Sequence, residues 1–125
     1  MKFKEMQYTR PVLSEVTARL QEITQELKKA GNFEEAEKAF LDFDRETRHI
    51  ETMATLSSIR HSIDTRDKFY DAEDTWWNNT APQLQEYQQQ WIEALLESPY
   101  RGQFEEKYGS LIFVNAEIAD RKSVV

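Results

Sequence analysis

Cysteine is absent from the 125 residues, which excludes a disulfide framework, a thiol nucleophile and a thiolate metal cage. That suits a reducing compartment, and a soluble cytoplasmic protein is the expectation. Glycine and proline number three each (Gly31, Gly102, Gly109; Pro11, Pro82, Pro99), too few and too scattered for a phosphate loop or a dinucleotide fingerprint. There are two histidines, His49 and His61, twelve positions or about three helical turns apart, so one helix cannot bring both to a single ion. No Gly-x-Ser-x-Gly occurs, and the Ser57/Ser58 pair has no strained turn to activate it. No apolar run approaches the roughly 18 residues a membrane-spanning helix needs, and the opening Met1-Lys2-Phe3-Lys4-Glu5-Met6 has no signal-peptide core. Basic residues are outnumbered 16 to 23, giving a net charge of −7 without a Lys/Arg cluster. Nucleic acid and anionic membrane are therefore poor partners.

What remains is a chain of long helices. Mean hydropathy is −0.77, yet 12% of residues are aromatic, more than a disordered segment carries. Residues 1–125 make one domain, large enough to bury roughly two-thirds of its unfolded surface. After a short lead-in over 1–10, Thr9-Arg10-Pro11 predicts a helix start, with Pro11 in the first turn. Leu13, Val16, Leu20, Ile23 and Leu27 then step by three and four, a narrow seam that ends at Gly31 behind Lys28 and Lys29. Asn32 caps the next helix. Its apolar face, Phe33, Ala36, Phe40 and Phe43, gives way to a different face at Met53, Leu56 and Ile59, and nothing between 44 and 52 breaks it. One long helix over about 33–64 is predicted.

Asp64 or Thr65 is expected to interrupt it, and a further helix carries Phe69, Tyr70, Trp76 and Trp77. Asn78-Asn79-Thr80-Ala81-Pro82 predicts an internal break, with Thr80 capping a new helix that carries Leu84, Tyr87, Trp91, Ile92, Leu95 and Leu96. Ser98-Pro99 opens a short segment to Gly109, and Ser110 starts a last helix through Leu111-Ile112-Phe113-Val114 to Ile118. A lone strand there would have no pairing partner. The fold class is all-α, an antiparallel array of about four to six helices.

The stretch Met53–Asp74 is the most densely organised. Bulky Met53, Leu56, Ile59 and Ile63 occupy one face, and small Ala54, Thr55, Ser57, Ser58 and Ser62 the other, a pattern that predicts protein on both sides of the helix. Asp64, Asp67, Asp71 and Asp74 would share one face of a continuous helix. Four carboxylates in line can hold a hard cation, but Arg60 and Lys68 are ready ion-pair partners, and a paired helix face is the simpler reading. His61, three before Asp64, could be oriented by that carboxylate; a packing histidine is the simpler reading. Trp76, Trp77 and Trp91 read as core aromatics rather than a ligand platform. No complete active site emerges from the residues alone.

The segment Met-Ala-Thr-Leu-Ser-Ser-Ile-Arg-His-Ser-Ile-Asp-Thr-Arg-Asp-Lys-Phe-Tyr-Asp-Ala-Glu-Asp at 53–74 resembles the N-terminal region of the oligoendopeptidase F family, zinc peptidases related to thimet oligopeptidase and neurolysin. The resemblance extends back through Phe33-Glu34-Glu35-Ala36 to Met1, and forward through Ser98-Pro99-Tyr100-Arg101 and Phe104-Glu105-Glu106-Lys107-Tyr108-Gly109 to Asn115-Ala116-Glu117. It implies a helical enzyme whose two lobes enclose a channel for oligopeptides. It also implies zinc held by His-Glu-x-x-His and a downstream Glu, with the motif's own Glu as general base. This sequence has no His-Glu-x-x-His, so no zinc ligand or catalytic role transfers to His49 or His61. The chain is expected to be inactive alone and to contain no cofactor of its own. The likeness fades near Ala119, and the ending Arg121-Lys122-Ser123-Val124-Val125 suggests a truncated chain, a frameshifted reading frame or an isolated fragment. By the resemblance, Arg60, His61, Asp64 and Arg66 become candidates to line or brace the channel. The expected partner is the rest of the peptidase, or a second copy, through apolar helix faces left uncovered. A free-standing helical interaction module using the Leu13–Leu27 seam is the alternative reading, and a carboxylate cation binder at Asp64–Asp74 a third.

Overall fold

Helix starts and stops follow the short links between apolar seams. The computed structural model describes residues 6–123, with side chains described through Ile118. The first five residues of the expected lead-in and Val124–Val125 lie outside the described residues. Five helices follow in order, α1 (Leu13–Lys29), α2 (Phe33–Ile63), α3 (Lys68–Leu96), α4 (Arg101–Tyr108) and α5 (Leu111–Ser123), with no strand among the described residues.

Two sequence expectations about helix starts need correcting. Pro11 is not in the first turn of α1: the helix begins at Leu13 with Val12 as an extended cap lacking any side-chain hydrogen bond. The reason is tertiary, since Arg10 and Tyr8 are drawn out to Glu73 on α3 and keep the chain extended up to Val12. Nor does the chain break at 78–82. The helix α3 runs unbroken for 29 residues with Pro82 inside it, and Thr80 is a buried mid-helix residue rather than a cap. An internal proline removes one hydrogen bond, here to the carbonyl of Asn78, at a cost of about 3 kcal/mol. Asn78 and Pro82 are both exposed, so water can meet that carbonyl. The buried residues on either side, Thr80, Leu84, Trp91, Ala94 and Leu95, hold the helix together across the gap.

The link into α2 behaves as expected. Asn32 Oδ1 accepts the Glu35 N–H at 2.9 Å, while a Glu35 carboxylate oxygen accepts the Gly31 N–H at 2.8 Å, a reciprocal cap. The helix α2 then continues for 31 residues, about 46 Å at the α-helical rise. It changes its buried face midway, from Ala36, Ala39 and Phe43 to Ile50, Met53 and Leu56. At the far end α4 stops at Gly109, whose φ of 89° is a left-handed conformation only glycine adopts without strain.

The helices α1, α2 and α3 pack pairwise on one another, and α5 packs on α3 and α4. The core contains Leu20, Ile23 and Leu27 of α1, Phe43 of α2, Trp91 and Leu95 of α3, Phe104 of α4 and Phe113 of α5. Phe43 and Trp91 stack face to face at 4.2 Å, and Phe104 is wedged edge-on against Phe33 at 5.1 Å. The expectation that α2 is covered on both sides at 53–62 holds only in part. Ser57 is buried, but Thr55, Ser58 and Ser62 face water. The small residues are covered only where the extended segment 6–12 crosses the helix.

Candidate functional site

The turn between α2 and α3 gathers the residues singled out from sequence, although not in the arrangement their spacing implied. The helix stops at Ile63, so Asp64, Asp67, Asp71 and Asp74 do not form one continuous face. Asp64 ends α2, and one of its oxygens accepts the Arg66 N–H at 3.0 Å and Arg66 Nε at 3.4 Å. Asp67 caps α3 by accepting the N–H groups of Phe69 at 2.9 Å and Tyr70 at 3.4 Å. Two of the four carboxylates are therefore occupied in ending one helix and starting the next. The partner of His61 is Asp71, with Nε2 and Oδ1 3.3 Å apart, rather than Asp64. Arg60 donates to Tyr70 Oη at 2.9 Å and to the Met6 carbonyl, and its guanidinium lies over the Tyr70 ring. Arg60 and His61 thus bind this turn to the opening segment and to α3. The Arg66 side chain is 92% exposed and reaches outward, with Asp64 against its Nε.

Beneath this turn lies a polar cluster that sequence reasoning missed. Glu73 is 3% exposed, deep between α2, α3 and segment 6–12. It accepts from Tyr8 Oη at 2.6 Å and Arg10 Nε at 3.0 Å, and a second Arg10 nitrogen meets its other oxygen. Trp77 Nε1 donates to Tyr8 Oη at 2.9 Å, and Arg10 stacks 5.0 Å above the Trp76 ring. The Arg10 guanidinium holds the Glu73 carboxyl below its ordinary range despite burial. Burial, helped by the adjacent Glu73 carboxylate, pushes the Tyr8 phenol up to about 12. Ser57 Oγ is buried in α2 beside the Tyr8 phenol, without a well-formed hydrogen bond. The chemistry is that of a lock. A buried carboxylate is satisfied on both oxygens, and it ties a segment without secondary structure to α3. One signal could have found it: Glu73, Trp77, Thr80, Leu84 and Trp91 step by four, three, four and seven along a single helical stripe.

Other charged clusters join helices. Asp42, buried in α2, meets Lys38 at 2.9 Å, Arg45 at 3.4 Å and Arg19 of α1 at 3.6 Å. Glu37 takes Tyr108 Oη at 2.6 Å and the Lys107 ammonium, which together hold its carboxyl below the usual range. Arg101 spans Glu105 at 3.0 Å and Glu117 at 2.5 Å, tying α4 to α5.

An all-helical domain with an ion-paired surface is the class defined by this geometry. The family model for the peptidase M3 N-terminal domain matches residues 3–122, and the chain belongs to that family. No curated protein matches it. Among solved structures it is similar to PZ peptidase A in complex with an inhibitor, at 34% identity and a TM-score of 0.92 over 95% of this chain. It is also similar to a putative oligoendopeptidase F from Bacillus anthracis str. Ames, at 31% identity and a TM-score of 0.92 over 96% of this chain. The chain spans about a fifth of the length of those proteins, 21% and 22% respectively.

The zinc implied by the resemblance to oligoendopeptidase F does not fit the residues present. Among the described residues no three His, Asp or Glu side chains converge to hold a metal ion. His49 is exposed on α2, and His61 is already engaged with Asp71. No helix of the described residues is long and apolar enough to cross a membrane.

Proposed function

We propose that this chain forms the N-terminal helical wall of a cytoplasmic hydrolase of the oligoendopeptidase F type, one that cleaves oligopeptides with zinc chemistry supplied by other residues. The observation that carries the reading is the TM-score of 0.92 over 95–96% of the chain against peptidases of this kind, at 31–34% identity. On this reading the α2–α3 turn borders the peptide channel. Arg66 is the side chain free to meet a peptide's carbonyls or carboxylates. Arg60, His61 and Asp64 act behind it as positioning groups, through their bonds to Met6 and Tyr70, to Asp71 and to Arg66.

The chain alone is catalytically incomplete. Incubated with an internally quenched oligopeptide, with or without added zinc, it gives no cleavage; chelator-sensitive cleavage by the purified chain would refute this. Supplied to an oligoendopeptidase F lacking the matching segment, the chain restores cleavage. In that assembly Arg66→Ala raises KM several-fold at unchanged kcat.

The alternative, a free-standing interaction module built on the Leu13–Leu27 seam, loses its motive. Leu20, Ile23 and Leu27 are consumed in the chain's own core.

A further inference from the structure

The helix α5 is apolar on two opposite sides. Its inner side places Phe113 and Ala116 in the core, with Ile112 packed against them. Leu111, Val114 and Ile118 recur at three and four on the opposite side, and are 67%, 46% and 44% exposed. A helix with apolar residues on both sides is a buried helix whose second cover is missing. The ion pair of Arg101 with Glu117 and the Arg101–Phe113 stack, 4.9 Å from ring centroid, fix the helix's orientation on α4, so the outer stripe cannot roll inward.

We infer that the outer stripe Leu111–Val114–Ile118 is the docking surface for the larger, catalytic portion of an M3-type peptidase. The inference rests on the reading above and names the surface through which that portion is held. Two observations favour this occupant over a second copy. The matched solved chains are about five times longer than the part this chain covers, so in proteins of that kind most of the chain lies outside a segment like this one and is covalently continuous with it. A second copy would bring another net charge of −7 against the first, and like-charged surfaces resist association.

The test is co-expression of the full chain with the part of PZ peptidase A that lies outside the matched segment. The wild-type chain co-purifies with it. The double variant Leu111→Glu/Val114→Glu lowers recovery at least tenfold while its own thermal midpoint stays within a few degrees of wild type, because both side chains lie outside the core. Val114→Ser is the milder variant, expected to weaken recovery several-fold. Ile63→Glu, at the exposed end of α2, co-purifies as wild type does. Failure of the wild-type chain to co-purify overturns the inference, as does undiminished recovery of the double variant or a wild-type dimer that the double variant dissociates. The two readings separate cleanly. Complex formation through α5 without peptide cleavage sinks the peptidase reading alone, whereas cleavage restored equally by the double variant sinks the docking surface alone.

Discussion

The two ends of α2 are buried by different means. Its first half, Ala36 to Phe43, is covered by other helices through apolar contacts: Leu20, Ile23 and Leu27 from α1, Phe104 from α4 and the stacked Trp91 from α3. Its second half, Met53 to Arg60, lies under an extended segment held down by a buried carboxylate, two phenols, an indole N–H and two guanidiniums. The first kind of burial is non-directional and tolerates exchange of one apolar side chain for another. The second is directional, so removing a single partner leaves a charge or donor stranded in a dry site.

If that contrast is right, truncation in the apolar half has the largest cost. Phe104 is fully buried between Phe33 and Phe40, and Phe104→Ala should lose about 3–5 kcal/mol of unfolding free energy by urea titration. Phe104→Leu should recover more than half of that. Equal loss in the two variants would mean this half is as shape-specific as the polar half.

In the polar half, Arg10→Ala strands the Glu73 carboxylate. Breaking a fully buried pair costs about 3–5 kcal/mol. Arg10 is 44% exposed, and solvent screening reduces the expected loss to about 2–3 kcal/mol. Arg10→Lys should restore little of it, because one ammonium cannot serve both carboxylate oxygens.

The division between the halves also explains what could be read from sequence. The seam of α1, the cap at Asn32, the unbroken run of α2 and the helical reading of Leu111–Val114 were legible because each rests on local spacing or a local cap. The polar lock was not, and its loss traces to Pro82. Placing a break at 78–82 cut the stripe Glu73–Trp77–Thr80–Leu84–Trp91 in two, so nothing set Glu73 apart from the other carboxylates. Tyr8 and Arg10 lie in a segment without periodicity, so nothing local marks them as buried partners. At the turn, the three-four-three spacing of Asp64, Asp67, Asp71 and Asp74 mimicked a helix face, but two of those residues are what end one helix and begin the next. Charge spacing is informative only once the helix is known to continue.

Titration sharpens the contrast further. The folded-state Glu73 carboxyl is held below its usual range, so its contribution is present at neutral pH and is lost as pH falls through the unfolded carboxyl range toward the lower folded value. Tyr8 acts in the opposite direction. Its phenol is raised to about 12, so its contribution is intact below the ordinary phenol value of about 10 and fades as pH climbs from there. Chemical denaturation across pH should therefore show an acid limb that Arg10→Ala makes shallower and an alkaline limb that Tyr8→Phe makes shallower, with Glu37 and Asp42 carrying the rest of the first and Tyr108, Lys38 and Lys107 the rest of the second. Phe104→Ala should lower the whole curve without changing either limb.

The smallest expected effect has the most diagnostic sign. Ser57 sits on the small-residue side of α2 where segment 6–12 covers it, and its hydroxyl lies beside the Tyr8 phenol without a well-formed hydrogen bond. An unpaired buried hydroxyl is a cost that alanine would remove without opening a cavity of any size. Alanine is also the better helix former. Ser57→Ala should thus raise stability, by up to about 1 kcal/mol. Ser58→Ala, one residue along and facing water, should change it by less than about 0.5 kcal/mol. A loss of stability in Ser57→Ala would mean that the hydroxyl is bonded within the Tyr8–Glu73 network, and the polar half would then carry no unsatisfied group of its own.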